Sequence, residues 1–246
     1  MKRRIVDDSG SPSAQASAAP AGSPAIALSS TVEKHVLPAG LYLYRYRLTA
    51  YPPNVAEHDR LSYFLGALIS KLMVATRARM QPFICIDGRH LDDEFFGKLR
   101  ESGATWRPVL GFPMIPGVHP FRYLPIAYQI SNRGAWDEVA EQFLGTGGAG
   151  IYLSSLAADE FFIRLIQLVF TRNNEGATDL LRVFLPEAVL NHLEKAAGPP
   201  LERFLQCVQV FIGERPSLAS VDIVSANDID EVVKMVLDVK SPESTA

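Results

Sequence analysis

The sequence predicts an α/β protein, a mixed or mostly parallel sheet flanked by helices with a more helical C-terminal lobe. Three observations carry that prediction. Short apolar or aromatic runs, LYLYRYRLTAY (41–51), PFICI (82–86) and GIYLSS (150–155), have the length and composition of strands. Longer segments between them repeat apolar residues at helical spacing. The two kinds alternate along the chain, as layered α/β folds require, with more helix toward the C-terminus.

The elements follow in order. Residues 9–30 hold seven Ser, seven Ala, three Pro and two Gly, with no charge and no aromatic. Such a segment buries too little apolar surface to offset its ordering entropy, so 1–30 is expected as a disordered tail. The strand over 41–51 stops at Pro52-Pro53. Asn54 and Glu57 form a capping pair for a helix to about Thr76, with Leu61, Phe64, Leu65, Leu68, Ile69, Leu72 and Met73 as its apolar stripe. PFICI is a buried strand ended by Asp87-Gly88. LDDEFFGKLRES places acids in its first turn and basic residues near its end, matching the helix macrodipole.

A proline-rich loop, 108–120, leads to a strand near 123–130 and a helix near 135–144. After GIYLSS, Ser154 or Ser155 is placed to cap LAADEFFIRLIQLVF, where Glu160, Arg164 and Gln167 share one stripe and the remainder is apolar. That helix is expected to be mostly buried. A strand at 180–184 precedes a helix at 187–197, which Gly198-Pro199-Pro200 stops. FLQCVQVFIG, within 201–213, suits either a strand or a buried helix. A last helix, 228–238, carries Ile229, Val232, Val233, Val236 and Leu237. The expected organisation is a tail (1–30), an α/β lobe (31–175), a more helical lobe (176–240) and a frayed end (241–246).

Composition bounds the function. With 246 residues, 48% hydrophobic and 21% charged, the chain has the makeup of a soluble globular protein. A net charge of −3 gives no general attraction to nucleic acid or anionic membranes. No stretch approaches the ~20 apolar residues of a membrane helix. Cys85 and Cys207 sit among apolar neighbours and read as reduced core thiols. Together these lead to the expectation of a cytoplasmic protein with no membrane insertion.

Motifs for chemistry are sparse. Gly145, Gly147 and Gly150 fit G-x-G-x-x-G, but a dinucleotide loop leaves a strand and opens a helix. Here the glycines follow a helix and lead into a strand, so they read as a helix stop and a connector. The five histidines, His35, His58, His90, His119 and His192, show no metal-ligand spacing. Asp87 at the end of a buried strand, with Asp92, Asp93 and Glu94 nearby, is the best enzymatic candidate, whether hydrolase-like or metal-dependent. The Asp-x-Asp repeat of phosphatase-type sites is missing, and acids opening a helix need only the dipole to explain them. Tyr42, Tyr44 and Tyr46 share one strand face and Arg45 and Arg47 the other, a weak single-stranded nucleic-acid pattern. A half-exposed edge strand used for protein contact explains it more simply.

Three stretches resemble one bacterial family. FICIDGRHLDDEFFGKLRESG is similar to the opening strand, Asp-Gly turn and first helix of the adaptor–chaperones of the type VI secretion system. GIYLSSLAADEFFIRLIQLVF resembles their central strand and following helix, and LLRVFLPEAVLNHL their Leu-Arg-Phe-Tyr-Asp-Pro strand-to-helix turn. The resemblance spans roughly 82–212 and departs at Leu185, where the family has an acid, and in the longer segment 31–80. It implies a non-enzymatic cytoplasmic adaptor with no cofactor or metal. Such a protein binds the N-terminal region of an effector toxin and delivers it to the VgrG spike, without nucleic acid.

The residues singled out for structure are Asp87, Arg182 and Pro186. Pro186 is expected at the first helical position with Leu185 as an N-cap lacking a side-chain acceptor. Arg182 sits between Leu181 and Val183 on an expected strand, so its stem should be buried. A buried guanidinium requires a partner, and Asp87 is the expected one.

Overall fold

The computed structural model describes residues 32–75, 79–91, 93–101, 105–109, 125–172 and 178–238. The expected tail (1–30), the frayed end (241–246), most of the loop 108–120, Asp92 and His119 lie outside them.

In chain order the elements are β1 (Val32–Val36), β2 (Tyr42–Arg47), α1 (Val55–Ala75), β3 (Gln81–Ile86), α2 (Asp93–Glu101) and β4 (Trp106–Pro108). Then come β5 (Ile126–Gln129), α3 (Arg133–Phe143), β6 (Ala149–Ser154), α4 (Ala158–Val169), β7 (Phe170–Arg172) and β8 (Thr178–Leu180). The chain continues through α5 (Pro186–Lys195), α6 (Pro199–Cys207), β9 (Val210–Arg215), β10 (Ser220–Ser225) and α7 (Asp230–Leu237).

Eight strands form one sheet in the order β1-β2-β10-β9-β6-β3-β5-β4, and β7 pairs with β8 apart from it. Every pairing is antiparallel, which overturns the expected mixed or mostly parallel sheet. The reason lies in the strand order. Since each neighbour reverses direction, β3 and β4, joined through α2, run the same way with β5 between them. Likewise β5 and β6, joined through α3, run the same way with β3 between them. The helical crossovers that suggest parallel pairing are present, but a third strand occupies each gap.

Helices cover both faces. Alternate strand residues feed two separate cores, as the two-residue period of a strand demands. Tyr44, Tyr46, Ile84, Ile86, Ile126, Tyr128, Ile151, Leu153, Ile212 and Ile223 pack with residues of α1, α2, α3 and α7. Leu43, Phe83, Cys85, Ala127, Tyr152, Phe211 and Val224 pack with α4, α5 and α6. The stretch 176–240, expected as a lobe of its own, supplies β9 and β10 to the middle of the sheet. It also supplies α5 and α6 to one face and α7 to the other.

Several local expectations change with this layering. The tyrosine strand is no edge: β2 is bonded on both sides, and Tyr44 and Tyr46 are buried. FLQCVQVFIG divides, α6 ending at Cys207 and β9 beginning at Val210. α4 buries only a stripe of Phe161, Phe162, Leu165, Leu168 and Val169, leaving Ile163 and Ile166 exposed, so it is an outer-layer helix and not a mostly buried one. Ser154 caps no helix. Its hydroxyl donates to Cys207 O at 2.6 Å and accepts from Leu156 N.

Two helix starts keep part of what was expected, whereas Gly198-Pro199-Pro200, expected as a stop, opens α6. Asn54 Oδ1 accepts from Glu57 N at 3.0 Å, while the Glu57 carboxylate turns to Thr49 N and Oγ1. α5 opens on Pro186 with Leu185 as N-cap and no side-chain cap bond. No helix among the described residues is long and apolar enough to cross a membrane.

Candidate functional site

The residues expected to matter from sequence fall into three different settings. Asp87 ends β3 and is buried, and its carboxylate accepts from Arg89 N at 3.0 Å and from Arg89 Nε and Nη2 at 2.9 and 2.5 Å. Burial pushes its carboxyl up, but the Arg89 guanidinium and backbone N–H prevail and hold it below the ordinary value. The expected Asp87–Arg182 tie does not form. The strand expected at 180–184 ends at Leu180, and Arg182 follows it in a turn where Leu181 and Val183 point inward and Arg182 is exposed. Exposed, it needs no partner, and among the described residues it forms no salt bridge.

Pro186 is buried against the sheet. A Cβ on Gly213 of β9 would lie 2.7 Å from Pro186 Cβ, so the glycine allows the first turn of α5 to close on the strand. Asp93 and Glu94 are exposed, and Glu94 pairs with Lys98 one turn on. Among the described residues no group of three His, Cys, Asp or Glu side chains is placed to hold a metal ion. Cys85 and Cys207 are buried and free, and burial pushes the Cys207 thiol up to about 12.

Two polar clusters that sequence reasoning missed lie within the molecule, although Arg215 Nε and Nη2 find no hydrogen-bond acceptor among the described residues. On the α5 side of the sheet, Arg45 of β2 stands directly opposite Asp222 of β10 and binds it in a fork, Nε to Oδ1 at 2.9 Å and Nη2 to Oδ2 at 2.7 Å. Arg215 of β9 brings its Nε to 3.3 Å from Asp222 Oδ2 and its Nη1 to 2.9 Å from Glu194 Oε1 on α5. Asp222 also accepts from Ser220 Oγ at 3.0 Å. The Asp222 hydrogen bonds raise Arg45 further above its ordinary value, outweighing burial.

On the opposite side of β9, Glu214 is buried under the glycine-rich connector. Gly145 N and Gly147 N donate to its two carboxylate oxygens at 2.7 and 2.8 Å, and Tyr51 Oη donates to one of them. Gly145 and Gly147 have φ of 86° and 67°, the left-handed conformations that turn both N–H groups inward. The glycine motif does cradle an anion, and that anion is the protein's own. Burial pushes the Glu214 carboxyl above its ordinary value despite these donors. Polar residues interrupting VFIGERPS and SVDIVS were the signal in the sequence, since Glu214, Arg215 and Asp222 stand within apolar strand runs.

One region is open instead. A groove of about 750 Å³ runs between α1 and α3. Its apolar lining includes Tyr63, Gly66, Ala67, Ile69, Met73 and Trp136, with Tyr63 46% and Met73 38% exposed. Trp136 lies against Gly66, where a Cβ would meet its Nε1 at 2.7 Å. His58, Asp59, Arg133, Asp137 and Glu141 also line the groove.

Compared with family models, curated proteins and solved structures, the chain matches none.

Proposed function

We propose that the protein is a non-enzymatic adaptor that holds a segment of a partner protein in the groove between α1 and α3. The observation that carries this reading is the contrast at the surface: Asp87, Asp222 and Glu214 are tied to donors of the same chain, whereas Tyr63 and Met73 leave apolar surface open beside Trp136. A groove with a few aromatic and flexible apolar anchors is the usual chemistry of protein recognition. The resemblance of 82–212 to the type VI adaptor–chaperones supplies the class of partner. The captured segment is the N-terminal region of an effector toxin, and the destination is the VgrG spike.

Co-expression with the effector encoded beside this gene tests the reading. The two proteins should co-purify as a stable complex, and a Tyr63→Ser/Met73→Ser variant with an unchanged melting curve should release the effector. A purified protein that turns over a substrate, loses turnover in Asp87→Asn and keeps its fold would overturn it in favour of an enzyme.

A further inference from the structure

The adaptor reading names a class of partner but not the chemistry of what is held. We infer that the α1–α3 groove receives an amphipathic helix of about four turns, apolar on one face and basic along its flanks, an inference that rests on the adaptor reading above. Three observations converge on this occupant.

The first is length. The groove follows α1 from His58 to Met73, fifteen residues apart and about 22 Å along the helix axis. That is the span of roughly fifteen helical residues, while an extended segment would cross it in about seven. Among the lining residues on α1, the row His58, Ser62, Gly66, Ile69 and Met73 recurs every three or four positions, with Asp59, Tyr63, Ala67 and Ser70 beside it, a helix face open to a second helix.

The second is charge. The rim carries three acids, Asp59, Asp137 and Glu141, against one arginine, Arg133. Asp59 and Asp137 are 76% and 61% exposed, and their partners are distant, His58 Nδ1 at 3.8 Å and Arg133 Nε at 3.8 Å. Loosely paired acids around an apolar floor favour lysine or arginine on the occupant and disfavour acids.

The third is the floor itself. Trp136 is only 7% exposed and packs against Gly66, where a Cβ would meet its Nε1 at 2.7 Å, so the floor is a fixed aromatic surface. A fixed aromatic floor of this kind favours the leucine-type stripe of a bound amphipathic helix.

The experiment uses the full chain and two synthetic 18-residue helical peptides. Both have the same leucine stripe; one has lysine flanks and the other glutamate flanks. Binding is read by calorimetry and by tryptophan emission. The lysine-flanked peptide should bind at least tenfold more tightly, weaken with added salt and shift the emission, and the shift should disappear in Trp136→Phe. The exposed double variant Asp59→Lys/Asp137→Lys should reverse the preference.

Equal affinity for the two peptides, or no binding of either, overturns the inference. So does an unreversed preference in a double variant whose melting curve is unchanged. Should that variant fail to fold, the salt dependence and peptide preference of the unaltered protein still decide. An effector complex that persists when the groove is blocked overturns the groove inference and leaves the adaptor reading intact. The expected peptide preference, without any association with the neighbouring effector, overturns the adaptor reading and leaves the groove inference standing.

Discussion

The sheet face under α5 and the groove between α1 and α3 use ionisable residues in opposite ways. Under α5, Arg45, Arg215 and Asp222 are largely withdrawn from water and paired as ions across three strands, with Glu194 reaching in from the helix. Along the groove, Asp59, Asp137 and Arg133 are mostly exposed and held only by loose, local pairs. Buried charge tolerates one geometry, because each lost partner leaves a desolvated ion, and so it specifies strand register. Exposed charge is nearly neutral for stability and remains available to select what docks. On the proposed reading, structure and recognition are therefore separated in space.

The contrast is sharpest at Asp222. Asp222→Ala removes the carboxylate shared by Arg45 and Arg215 and should cost about 3–5 kcal/mol, read as a lower denaturant midpoint. A loss below about 1 kcal/mol would mean that the network is dispensable.

Tyr51→Phe comes next. It removes one donor to the buried Glu214 and should cost about 1–3 kcal/mol at neutral pH. Glu214 also gives this tie a pH dependence. Its folded-state carboxyl titrates above the ordinary 4.5, so its contribution is complete below that value and is lost as pH rises through the raised one. Glu214→Gln does not titrate, and its stability should therefore improve relative to the unaltered protein as pH rises from 4.5, by chemical denaturation at several pH values.

Leu185→Asp is a smaller change with the opposite sign. It gives α5 the side-chain cap that it lacks and should add about 0.5–2 kcal/mol, visible as a higher melting temperature. The groove should show the least effect of all. Tyr63→Ser should shift stability by no more than about 0.5 kcal/mol while weakening partner capture. A large destabilisation there would mean that the groove is part of the core and would erase the contrast.

Much of the local structure was legible in the chain. The helix over 54–75, the strand at 82–86, the uncapped start of α5 at Pro186 and the burial of both cysteines each depend on residues close in sequence. The errors have a common origin. Arg182 looked buried because its neighbours are apolar, yet the strand ends at Leu180 and Arg182 opens the turn that Leu185 N closes on its carbonyl, with its side chain exposed. The tyrosine strand looked like an edge because nothing near it in sequence reveals that β10, some 175 residues later, pairs with its other side.

By itself the sequence placed most of the helices and the strands β2, β3, β5 and β6, since hydrophobic period and capping act over a few residues, but it did not mark β1, β4 or β10. It also showed that strands and helices alternate, which holds for β2-α1-β3-α2-β4 and β5-α3-β6-α4 but not for the successive strands β9 and β10 or the successive helices α5 and α6. Only the tertiary structure decided that β5 enters between β3 and β4, and that β9 and β10 enter between β2 and β6, making every ladder antiparallel. Pairing of distant strands is set by which apolar faces and buried charges satisfy one another once the chain has collapsed, and no local pattern records that choice. The same holds for the anion held by the glycine-rich connector and for the furrow between α1 and α3, both assembled from residues that are remote in the chain and adjacent only after folding.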